Sequence, residues 1–141
     1  MTSQPDSPSP SNADQPRQNL QALRQSILDL HKTLIDSEKV GYEQTFGPIE
    51  SQNKFLQLLI SDPWFAWLHP LSELVVVMDE TLDGEEPVTA EIVKRFAAET
   101  KALLKASEEG EGFERSYFEA LQREPDVVMA HAEVAKRLNV N

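Results

Sequence analysis

Three histidines, His31, His69 and His131, are the only side chains in this sequence that act as bases near neutral pH or offer a nitrogen to a metal. Their surroundings can be compared at about 100° of helical rotation per residue. His131 has Val127, Val128, Val134, Ala135 and Leu138 at helical neighbour positions, which sets it in the middle of an apolar face. His31 falls at the edge of a leucine stripe, and Glu38, two turns on, projects to nearly the same side between Arg24 and Tyr42. His69 points away from the stripe of its own helix.

That pattern suggests a metal or small-ligand site inside a bundle, with His31, Glu38 and His131 converging and Asp79 joining from another helix. Helical bundles build such sites from side chains on facing helices. The di-metal carboxylate pattern, however, needs Glu-x-x-His pairs, and the sequence has none. The competing reading is structural: His31 and Glu38 form an ordinary hydrogen-bonded pair, and His131 is a satisfied core histidine.

Other chemistry finds little support. Asp79 to Gly84 is acidic and ends on glycine like the start of a calcium loop, but Ala90 stands where a bidentate glutamate is required. Glu108, Glu109, Glu111 and Glu114 read as a solvated loop. Leu30-His31-Lys32 only weakly echoes a phosphotransfer histidine. Hydrolase elbows, phosphate loops and dinucleotide fingerprints are missing. No cofactor is implied, and the balance favours a non-enzyme.

Composition narrows the class further. The net charge is -11, from 24 acidic and 13 basic residues in 141. Nucleic acid and anionic membrane surfaces both require positive charge, so neither is an expected partner. With no cysteine, disulfides, zinc–thiolate sites and thiol nucleophiles are excluded. No signal peptide is readable at the start, and apolar runs such as Leu74 to Met78 are far shorter than the ~20 residues of a membrane span. A cytoplasmic location is the expectation that remains.

Helices must position all of these groups. Residues 1–16 are Ser-, Pro- and Asn-rich with almost nothing to bury, and are expected to be a disordered tail ahead of a helical domain over 17–141. Leu20, Leu23, Ile27, Leu30 and Leu34 mark a first helix from Pro16 to Val40, with Asp14 as its cap and Gly41 as its stop. A second runs from Ile49 to Ile60. Ser61-Asp62-Pro63 restarts the chain into a third, to Leu82, which Pro70 should bend or split near His69. Thr89 caps a fourth to Ala106. The last stretch breaks at Glu124-Pro125-Asp126 and resumes. With no alternating strand pattern, the predicted class is all-α, an antiparallel bundle of four to five helices.

The segment Asp62-Pro63-Trp64-Phe65-Ala66-Trp67-Leu68-His69-Pro70-Leu71-Ser72-Glu73-Leu74, together with Leu30-His31-Lys32-Thr33-Leu34, resembles a group of small bacterial all-helical proteins. The resemblance covers roughly Leu20 to Leu82 and implies a bacterial cytosolic origin. It carries no activity and transfers no functional residue.

The function expected from these features is a protein-interaction or structural module that self-associates or binds a protein partner. Its expected interface comprises Trp64, Phe65 and Trp67, since aromatics are enriched in interface cores, with Val76 and Val77 on the far side of the third helix. A metal- or ligand-binding bundle around His31, Glu38 and His131 is the alternative.

Overall fold

Leu20, Leu23, Ile27, Leu30 and Leu34 recur at spacings of three and four, and all five are fully buried along α1 (Gln15–Phe46). In the computed structural model, which describes residues 14–138, the remaining elements are α2 (Gln52–Ser61), a 3₁₀ turn (Pro63–Leu68), α3 (His69–Asp83), α4 (Ala90–Leu103), α5 (Phe113–Arg123) and α6 (Pro125–Leu138). The chain is all-helical, a bundle of six α-helices among the described residues. The tail expectation for residues 1–13 lies outside them, and Gln15 and Pro16 belong to α1.

The long α1 is the axis of the fold. It packs most extensively against α6, then against α3, and it also meets α4 and the 3₁₀ turn. The Arg17 guanidinium donates to the Leu82 carbonyl at 2.9 Å, and Arg24 pairs with Asp79. These contacts set the end of α3 beside the start of α1, so the two helices run antiparallel. α4 covers α1, α3 and α6, while α2 lies over the 3₁₀ turn and α5 over α6 and that turn. Phe65, Leu71, Met78, Val93, Tyr117, Val127 and Val134 complete a continuous core.

Most helix starts follow the sequence reading. Asp62 accepts from the Trp64 amide at 2.8 Å, and Thr89 from the Ile92 amide at 3.2 Å. Asp14 occupies the cap position of α1, but its side chain makes no capping bond. Pro70 does split the third segment. Its missing amide costs nothing in the first turn of a helix, so α3 begins at His69 and the residues before it tighten into a 3₁₀ turn.

The stop of α1 differs from expectation. Gly41 sits inside the helix, which continues to Phe46. A Cβ at Gly41 would lie 3.3 Å from Cζ2 of Trp64, whose indole N–H donates to the Glu38 carbonyl at 3.2 Å. Gly41 is therefore space for an indole ring. Gly47 ends the helix instead, with φ 97° and ψ 172°, a conformation reserved almost wholly for glycine.

Candidate functional site

Three of the four residues expected to converge, Asp79, Glu38 and His131, are each engaged by a different partner. Asp79 pairs with Arg24 across α1 and α3. Glu38 accepts from the Trp67 indole N–H at 3.2 Å and from the Arg123 guanidinium at 2.8 Å, tying α1 to the 3₁₀ turn and to the end of α5. Among the described residues, no group of three or more histidine, aspartate or glutamate side chains is arranged to hold a metal.

His131 is held by Tyr117. The phenol hydroxyl and the imidazole Nδ1 share a hydrogen bond of 2.6 Å. Burial pushes the Tyr117 phenol well above its ordinary range, which keeps it protonated at neutral pH. Val128 and Ala135 prove exposed, so His131 stands at the edge of the α6 apolar face and not at its middle. The core side of α6 is Val127 and Val134.

His31 meets a residue the sequence reading set aside. A cleft of about 380 Å³ opens between α1, α2, the 3₁₀ turn and α3. Ile35, Leu59, Ile60, Phe65 and Leu68 form its apolar walls; His31, His69 and Ser72 are its polar groups. His69 Nε2 donates to the Leu59 carbonyl at 3.0 Å, which fixes its tautomer. In size and lining the recess suits a small apolar molecule with one hydrogen-bonding group. The clue to His69 was its place two turns before Val76 on one face of α3.

Burial, and secondarily the charge of His69, lowers the His31 pKa; burial alone lowers that of His131. Depressed folded-state values mean that protons prefer the unfolded chain. The stability these two rings allow is present above the unfolded value of about 6.5 and is lost as pH falls through their lower folded values. We expect the melting temperature to drop between pH 7.5 and 5.5. The drop should shrink in a variant carrying His31→Gln and His131→Gln. An equal drop in that variant would show that other groups set the pH response.

The expected interface divides. Phe65 is 0% exposed, locked between Tyr42 and Phe55, so it belongs to this chain's own core. Trp64 packs on Tyr42 and Phe46, and Trp67 on Phe113. These aromatics lie off the α3 stripe because the 3₁₀ turn rotates them toward α1 and α5. Val76 and Val77, by contrast, are 53% and 46% exposed, between exposed Glu73 and Glu80. Val128 and Met129 on α6 form another exposed apolar pair.

A groove between α4 and the end of α6 escaped the sequence reading. It has a volume of about 380 Å³, a floor of Ala97, Ala98, Ala102 and Leu138, and three lysines, Lys94, Lys101 and Lys105. Lys94 and Lys101 stand seven residues apart on one face of α4, the available signal, while Lys105 follows just beyond the helix end.

The described residues thus define an all-helical bundle with a small histidine-lined cleft and two contrasting outer faces. No helix among them is long and apolar enough to cross a membrane. Comparison with protein-family models, with curated proteins and with solved structures finds no match.

Proposed function

We propose that this chain is a non-catalytic interaction module that self-associates through the outer face of α3. The observation that carries the reading is the adjacent exposure of Val76 and Val77 on a helix whose opposite side is already buried in the core. Apolar surface left in water beside charged neighbours is the usual composition of an interaction patch. Its polar border, Glu73 and Glu80, resembles the rim of a non-obligate interface. We place the module in a bacterial cytoplasm, in keeping with the resemblance of residues 62–74, the absence of cysteine and the acidic composition.

Sedimentation equilibrium from about 5 to 200 µM, the range in which moderate interfaces of this kind associate, tests the proposal. The weight-average mass should rise above the 15.9 kDa of one chain. The rise should disappear in Val76→Ser, Val77→Ser, with the helical signal unchanged. A wild-type mass fixed at one chain over the whole range would refute self-association and leave a different protein as the partner.

A further inference from the structure

We propose that copies of this chain associate head to tail, the α3 face of one copy seating in the α4–α6 groove of the next. The inference rests on the self-association proposed above and names its second surface.

Charge supplies the main argument. Two chains of net charge -11 repel each other at long range, so a stable contact needs local complementarity. Most other cations of the fold are engaged within the chain. Arg24, Arg115 and Arg123 pair with carboxylates, as do Lys32 and Lys136, and Arg17 holds a backbone carbonyl. Lys94, Lys101 and Lys105 form no ion pair among the described residues, and all three line one groove. On α3, Glu73 and Glu80 also form none, and they bracket the exposed valines.

Shape and spacing agree with charge. Glu73 and Glu80 stand seven residues apart, as do Lys94 and Lys101, so each pair spans about 10.5 Å of helix. Laying α3 along the groove brings each glutamate opposite a lysine. The same register carries Val76 and Val77 over Ala97 and Ala98, where small side chains leave room for another helix. The two surfaces belong to different helices, and each copy uses one of each. Such an interface is heterologous, and it builds rings or open chains rather than stopping at a symmetric pair.

The test is charge reversal followed by mixing, read by sedimentation velocity on the full chain. Lys94→Glu, Lys101→Glu should associate at least tenfold more weakly than wild type, and Glu73→Lys, Glu80→Lys should do the same. An equimolar mixture of the two variants should associate again, because each groove now meets an oppositely charged α3 face. Raising salt from about 50 to 500 mM should weaken the wild-type assembly by about tenfold through screening. If the lysine variant assembles like wild type, or the mixture stays dissociated, the head-to-tail contact is wrong although self-association stands. If wild type does not assemble at all, both readings fall together.

Discussion

Replacing Phe65 with alanine is expected to remove about 3–5 kcal/mol of folding stability, the usual cost of emptying a large aromatic site in a core. The side chain is fully buried, with Tyr42 at 5.6 Å and Phe55 at 5.9 Å between ring centroids, and it also walls the histidine-lined cleft. Domains of this size hold only about 5–15 kcal/mol in total, so the variant would keep a small margin. Urea unfolding followed by helical circular dichroism reads the effect as a lower midpoint. Phe65→Leu, which refills most of the volume, should recover more than half of the loss. A loss under about 1 kcal/mol for the alanine variant would contradict the packing described. The result also separates a core residue from an interface residue: an interface Phe65 would change the mass of the assembly while leaving the unfolding of the chain nearly intact.

The second large effect lies at the other end of the sequence. Tyr117 is fully buried, and α5 reaches the rest of the fold chiefly through it, Phe113 and the contact with α6. Tyr117→Ala should cost about 3–5 kcal/mol. It should also release α5 as a unit, since short helices hold only by the face they bury. Hydrogen exchange should show residues Phe113–Arg123 losing protection by orders of magnitude while α1 and α3 keep theirs. Tyr117→Phe keeps the ring and removes only the bond to His131. It should cost about 1 kcal/mol, because the partly exposed imidazole then hydrogen-bonds to water. Uniform loss of protection across every helix in the alanine variant would mean that α5 is no separate unit.

The frame of the molecule was legible because periodicity reports burial. The five apolar residues of α1 and the stripe on α3 needed only the helical repeat to be placed, and Asp62, Thr89 and Pro70 announced their turns through their own backbone chemistry. The candidate site was much less legible. Periodicity gives the face of a helix and not its neighbour, so His31 and Glu38 shared a column, yet His31 lines the cleft while Glu38 turns to Trp67 and Arg123. Phe65 was misplaced because a 3₁₀ turn advances each residue by more than an α-helix does, which swings the aromatics off the expected line. Gly41 misled for a similar reason. Glycine marks both helix ends and close approaches, and only the position of the Trp64 ring separates the two.

The pairing of α1 with α6 has a consequence for how the protein is made. Among the described residues, the most extensive contact joins α1 to α6, the two helices furthest apart in sequence. A ribosome delivers α1 before α6, and the α1 leucines must wait for their main covering surface until α6 has been synthesised. During that interval α3 and α4 can shield only part of the stripe. Closing the bundle is therefore a late, long-range event, slower than the local pairing of neighbouring helices. A chain cut short before Pro125 would leave α1 permanently half-dressed, a natural target for chaperones and proteases.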